Sequence, residues 1–141
     1  MKKSTLITSF AVVLALVSCK KNDTKMTSES YSTETTVTDE NGKVDSVTTT
    51  SMEKEINGKK ITSVSYPYKT SDGSRAKATF SDNGKSKTIT IEANNMKYVL
   101  DFVKATPTGE LYERNSISAE SSEDSLLISQ GNNIIHLRQI K

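Results

Sequence analysis

The chain has 141 residues, of which 33% are hydrophobic and 26% are charged, and it contains one cysteine, one histidine and no tryptophan. This length suits one small domain with a modest core. One cysteine excludes an intramolecular disulfide, and one histidine disfavours a histidine-rich metal site or a histidine-centred catalytic mechanism. We therefore expect a protein that is not an enzyme and needs no cofactor.

The first residues of the chain have the features of a targeting signal. Lys2 and Lys3 are positive, residues 6–17 are apolar, and residues 16–19 read LVSC. The apolar run is too short for an ordinary transmembrane helix, which needs about 20 residues. We predict a signal peptide over residues 1–18.

The LVSC tetrad resembles the lipobox of bacterial lipoproteins, in which the chain is cut before the cysteine. The resemblance implies that Cys19 carries a diacylglycerol and a fatty acyl chain such as palmitate, which anchor the protein in a membrane. Lys20 follows in place of an inner-membrane retention aspartate, which favours the outer membrane, on either its periplasmic or its surface face. The alternative is a secreted protein with an unmodified cysteine.

Charge is balanced overall but unevenly distributed. Removal of Lys2 and Lys3 from the 19 basic residues leaves 17, equal to the 17 acidic residues, so nucleic-acid binding has no electrostatic basis. Residues 69–97 carry six basic and three acidic residues, whereas residues 101–124 carry six acidic and two basic residues. The acidic segment is expected to steer a basic protein partner. Its carboxylates are Asp101, Glu110, Glu113, Glu120, Glu123 and Asp124.

Residues 19–60 are predicted to form a disordered tether between the lipidated cysteine and the folded domain. Ser and Thr dominate residues 26–51, and the few large apolar residues there are too sparse to build a core. The alternative is a weak β-hairpin over residues 33–50, because strand-forming Thr and Val flank Asn41 and Gly42.

The second part of the chain, residues 61–141, reads as an all-β domain. Short segments with period-two or apolar patterns predict strands at residues 61–66, 76–80, 88–91, 98–102, 125–128 and 134–137. Turn-forming residues separate them at 71–73, 82–84, 94–95 and 130–133. Residues 110–117 are predicted to be irregular and to lead into a short strand. Short strands and tight turns predict an antiparallel meander closed into a small β-barrel.

The order of motifs in this domain resembles the membrane-bound lysozyme inhibitors active on C-type lysozymes, which are bacterial lipoproteins with a small antiparallel β-barrel. The resemblance covers about residues 64–141 and agrees with the lipobox. The motifs are YPY at 66–68, an Asp-Gly at 72–73, a strand ending at Phe80, YVL at 98–100, TGELY at 108–112 and QG at 130–131.

The resemblance implies a target and a set of contact residues. In that family a loop serine and a later lysine enter the lysozyme cleft and contact its catalytic carboxylates. Thr108 and Gln130 occupy those positions here, and Gly109, Tyr112 and Gly131 match the family pattern. The implied function is inhibition of a C-type lysozyme or a related muramidase by insertion of a loop into its cleft.

This sequence departs from the family pattern at three positions. Gln130 replaces the lysine, so a charge-assisted hydrogen bond of about 1.5–3 kcal/mol becomes a neutral one of about 0.5–1.5 kcal/mol. Leu111 replaces a loop arginine, and Tyr68 lies near the position of a family disulfide cysteine. Two alternatives stay open: a barrel with a different ligand, such as a glycan or an envelope protein, and a spacer lipoprotein without a specific ligand.

Overall fold

The computed structural model describes residues 27–40 and 43–141, so Cys19 and the predicted signal peptide lie outside the described residues. The described chain consists of strands and turns. The ten strands are β1 (Thr27–Glu40), β2 (Lys43–Ile56), β3 (Lys59–Lys69), β4 (Arg75–Asp82), β5 (Lys87–Ala93), β6 (Met96–Ala105), β7 (Glu110–Arg114), β8 (Ile117–Ser121), β9 (Ser125–Gln130) and β10 (Asn133–Gln139).

Strands β3 to β10 form an antiparallel barrel in which each strand pairs with the next, and β10 returns to β3. The closing contacts are the pairs Tyr68–Gln139 and Lys69–Arg138. The Ile140 amide adds a hydrogen bond of 2.9 Å to the Pro67 carbonyl. Closure leaves few unpaired backbone groups, which is the physical advantage predicted from the sequence. The predicted all-β meander closed into a barrel is confirmed.

The barrel interior is filled by alternate residues of each strand. The largest fully buried side chains are Tyr112, Ile89, Ile91, Leu100 and Leu126. Tyr112 packs edge-on against two rings, with centroid distances of 6.1 Å to Phe80 and 5.9 Å to Phe102. An eight-stranded barrel is just wide enough for side chains of this size to fill it.

Residues 110–117 were expected to be irregular, and that expectation is wrong for most of the segment. They contain β7, a turn at Asn115 and Ser116 and the first residue of β8. Both turn residues have positive φ, at 51° and 64°. The strand forms because Tyr112 pairs with Ala119 on β8 and is buried beside it, a contact that the local pattern does not show.

The described residues of the segment predicted as a disordered tether lie in β1, β2, the turn after β2 and the first residues of β3. β1 and β2 pair along their whole lengths, and this pairing includes residues 33–50, the range of the alternative hairpin. β2 then turns at Asn57 and Gly58, whose φ values are 53° and 73°, and pairs through Thr50–Ile56 with β3. The edge of β3 is available for this pairing, because β10 pairs only with the last residues of β3.

Successive strands run in opposite directions, so the connections alternate between the two ends of the barrel. At one end, which we call the loop end, lie the connections at residues 83–86, 106–109 and 122–124. The connections at residues 70–74, 94–95, 115–116 and 131–132 lie at the other end, which we call the far end.

Candidate functional site

The loop of residues 106–109 joins β6 to β7 and is closed by its own hydrogen bonds. The Thr106 amide donates to the Gly109 carbonyl at 2.8 Å, and the Gly109 amide donates to the Thr106 hydroxyl at 3.1 Å. Pro107 fixes one backbone torsion, and both Pro107 and Thr108 are exposed. The loop therefore presents Thr108 to solvent from a restrained backbone.

Position 109 requires glycine because there is no space for a side chain, and not because of its backbone torsion. A Cβ atom at this position would lie 2.0 Å from the Ser121 carbonyl oxygen and 2.8 Å from the Ser121 carbonyl carbon. Both atoms belong to the backbone of β8, which cannot rotate away as a side chain could. Only glycine lets the loop approach β8 this closely.

A polar network at the start of β7 supports the loop. The Glu110 carboxylate accepts hydrogen bonds from the Lys87 ammonium at 2.7 Å and from the Tyr112 hydroxyl at 2.5 Å. The Lys87 nitrogen also lies 5.4 Å from the centre of the Phe102 ring. The Ser121 hydroxyl completes the support, because it bonds the Glu110 amide and carbonyl, each at 3.2 Å.

This network shifts the ionisation of its members. Hydrogen bonds from Lys87 and then from Tyr112 lower the pKa of Glu110, and the hydrogen bond with Glu110 raises the pKa of Lys87. Burial, followed by the hydrogen bond to Glu110, raises the pKa of Tyr112 well above its usual value of 10.0. At neutral pH the network therefore holds a charged Lys–Glu pair and a neutral tyrosine.

The β8–β9 turn, residues 122–124, lies next to the loop of residues 106–109. The sequence motifs did not indicate that these two connections are neighbours. The Ser122 amide donates to the Ser125 carbonyl at 2.9 Å, and the Gln139 amide donates to the Asp124 carbonyl at 2.8 Å. Glu123 and Asp124 are exposed on this turn. Counting connections along a meander could have found it, because every second connection lies at the same end.

Gln130 and Gly131 lie at the far end of the barrel, away from Thr108. Gln130 pairs with Ile117, and Ile117 pairs with Arg114 at the opposite end of β7 from the loop. Glu110 and Arg114 are four residues apart on an extended strand, a separation of about 13 Å. The fold therefore places Thr108 and Gln130 at opposite ends of the barrel and does not bring them together.

Three other residues singled out from the sequence lie in the core or in a turn. Tyr112 is 1% exposed and belongs to the core below the loop, so its ring cannot contact a partner directly. Gly131 has φ of 58° and forms the β9–β10 turn with open space around it. Tyr68 is 2% exposed and lies inside the barrel.

The acidic segment is less available than its charge count indicates. Arg114 makes a bidentate ion pair with Asp101 at 2.9 and 2.8 Å, and Lys87 pairs with Glu110. Both carboxylates therefore face a cation within their own barrel. Glu123 and Asp124 are exposed on the β8–β9 turn next to the loop, where they can attract a basic partner.

Three further observations bear on function. Among the described residues, no group of His, Cys, Asp and Glu is arranged to hold a metal ion. None of the chain that the structure describes forms a helix long and apolar enough to cross a membrane. A scan against protein-family models and searches of curated proteins and of solved structures gave no match to this chain.

Proposed function

We propose that the protein is a lipid-anchored inhibitor of a C-type lysozyme or a related muramidase, and that it blocks the active-site cleft with the loop of residues 106–109. The observation that carries the proposal is the preorganised loop. Two internal hydrogen bonds and the close approach to Ser121 restrain it before any partner arrives. A restrained loop loses less conformational entropy on binding than a mobile one.

The proposed contact uses the hydroxyl of Thr108. Lysozyme carries two catalytic carboxylates in its cleft, one of them ionised at neutral pH. The Thr108 hydroxyl donates a hydrogen bond to one of these groups, while Pro107 and the loop backbone occupy the space of the sugar substrate. Inhibition is competitive, and the inhibitor makes or breaks no bond.

The test is an inhibition assay on peptidoglycan lysis with purified protein and a C-type lysozyme. A charge-assisted hydrogen bond contributes about 1.5–3 kcal/mol, so Thr108→Ala should weaken inhibition by roughly 10- to 150-fold. Gln130→Ala is the matched control at the far end and should change inhibition less than about twofold. Absence of inhibition at about 100 μM would reject the proposal, because a Kd above this concentration means a binding free energy weaker than about 5.5 kcal/mol.

A second candidate function is binding of a basic envelope protein through the same end of the barrel. It is favoured by Glu123 and Asp124, because carboxylates beside the loop suit a cationic surface better than an acidic cleft. In that case, replacing Glu123 with Gln and Asp124 with Asn would weaken capture of the basic protein and reduce the salt dependence of the binding. If the double replacement instead strengthens lysozyme inhibition, the cleft is the target.

The proposed anchor is the lipidated Cys19 in the outer membrane, with the barrel on its periplasmic or surface side. Cys19→Ser should abolish acyl labelling and move the protein from the membrane fraction to the soluble fraction. Retention of both properties by this variant would reject the anchor.

A further inference from the structure

The far end of the barrel contains an apolar cavity that the proposed inhibitor function does not use. Its volume is about 210 Å³. Ile91, Ile117, Ile128 and Leu137 line its wall, and Met96 and Ile135 stand at its mouth. It is larger than an engineered apolar cavity of about 150 Å³ that binds benzene, so a substituted ring fits in it.

The cavity exists because small residues occupy interior positions at this end. Ala76 and Ala93 line it, whereas the middle of the barrel is filled by Ile89, Leu100 and Leu126. Those larger side chains fill the interior beyond the cavity, and the exposed Met96 and Ile135 place its opening at the far end. Mouths of β-barrels are a preferred location for small-molecule sites.

The mouth exposes apolar surface that a ligand would cover. Met96 is 52% exposed and Ile135 is 45% exposed, although both side chains line the cavity. Exposed apolar surface of this kind costs free energy in water, and covering it favours binding. The lining also includes polar residues, namely Thr70, Ser74, Arg75 and Asn94, so it suits a largely apolar molecule that carries a polar group.

One hydroxyl in the lining lacks a strong hydrogen-bond acceptor in its recorded contact. Tyr98 donates to the thioether sulfur of Met96 at 3.2 Å, and a thioether is a weak acceptor. A ligand oxygen would be a better acceptor for this hydroxyl. The exposed amide of Gln130 lies on the same rim and offers a second donor.

We propose that this cavity is a binding site for a small, uncharged apolar compound with one oxygen acceptor, about the size of an aromatic ketone. The apolar part fills the space beside Ile91, Ile117 and Ile128, and the oxygen accepts a hydrogen bond from Tyr98. The site is independent of the lysozyme contact, because it opens at the opposite end of the barrel.

The test compares acetophenone with ethylbenzene, which has nearly the same shape but no acceptor. Both are titrated into the purified protein and followed by amide chemical shifts in two-dimensional NMR spectra. Acetophenone should give saturable shifts centred on β5, β8 and β9, with Kd of about 0.1–1 mM for a ligand of this size. Ethylbenzene should bind roughly 2- to 10-fold more weakly, which is the value of one neutral hydrogen bond.

Two variants locate the site, and a third serves as control. Ala93→Leu fills the cavity and should weaken acetophenone binding by at least about tenfold, which corresponds to 1.4 kcal/mol. Ala105→Leu adds the same side chain at the loop end and should leave Kd unchanged within about twofold. Tyr98→Phe should reduce the affinity for acetophenone to that for ethylbenzene.

Two results would overturn the proposal. One is the absence of saturable shifts with acetophenone at about 10 mM, since that bound lies well above the expected Kd. The other is equal affinity for the two probes in both the wild-type protein and Tyr98→Phe. Lysozyme inhibition is measured separately, so a failure here leaves the result at the loop end unaffected.

Discussion

Gly109→Ala tests the close approach of the loop to β8. The new methyl carbon would be placed 2.0 Å from the Ser121 carbonyl oxygen, far inside van der Waals contact, so the loop and β8 must separate. Overpacking of this kind costs about 1–3 kcal/mol. Separation also weakens the hydrogen bond from the Glu110 amide to the Ser121 hydroxyl, which contributes about 0.5–1.5 kcal/mol.

The sum is a loss of about 3 kcal/mol in the free energy of unfolding, which lowers the Tm of a small domain by roughly 10–20 °C. Gly131→Ala is the contrasting control. Gly131 has φ of 58° and nothing within 4 Å of an added Cβ, so only the backbone cost of about 1–2 kcal/mol applies. On the same scale, the midpoint of about 1.5 kcal/mol should lower its Tm by roughly 5–10 °C.

The assay is thermal and urea unfolding of the wild-type protein and the two variants, followed by far-ultraviolet circular dichroism. Equal m-values would show that the two variants unfold from equally compact states. The reasoning is refuted if Gly109→Ala loses no more stability than Gly131→Ala. In that outcome the loop does not lie against the Ser121 backbone, and its preorganisation cannot support the proposed inhibition.

Three further outcomes follow from the core and the polar network. Ile89 is 0% exposed, so Ile89→Ala should cost about 2–5 kcal/mol in urea unfolding, and a loss below about 1 kcal/mol would contradict its central position. The lowered pKa of Glu110 stabilises the folded protein fully above the ordinary value of 4.5, and this stability is lost as the pH falls through the folded-state pKa. The Glu110→Gln variant should therefore lose less free energy of unfolding than the wild type between about pH 6 and pH 3. The raised pKa of Tyr112 stabilises the folded protein fully below pH 10.0, and this stability is lost at higher pH. The Tyr112→Phe variant should therefore lose less free energy of unfolding than the wild type at alkaline pH. An equal loss would assign the effect to other groups such as Tyr68, because burial raises the pKa of Tyr68 to about 12.

The strands of the barrel were readable from the sequence where local pattern and burial agree. Residues 88–91 alternate between polar and apolar types, and residues 98–102 contain a short apolar run. They lie in β5 and β6, where Ile89 and Leu100 face each other in the core. Asn94 and Asn95, predicted as a turn, have φ values of 51° and 61°. Local torsional preference was sufficient here, because asparagine tolerates this conformation.

The first hairpin was not readable with the same certainty. The Thr and Val content of residues 33–50 indicated a hairpin, while the lack of large apolar residues indicated disorder. β2 pairs with the edge of β3. That edge is available because β10 pairs only with the last residues of β3. A local pattern carries no information on which edge of a barrel is left uncovered.

By itself, the sequence determined the elements of the barrel and the composition of the loop at residues 106–109, because strand periodicity, turn residues and a proline act over a few positions. Tertiary structure alone decided which loops share an end. It placed the β8–β9 turn, rather than Gln130 and Gly131, beside Thr108. The physical reason is that antiparallel pairing reverses direction at every strand, so proximity depends on the count of strands between two residues and not on their motifs.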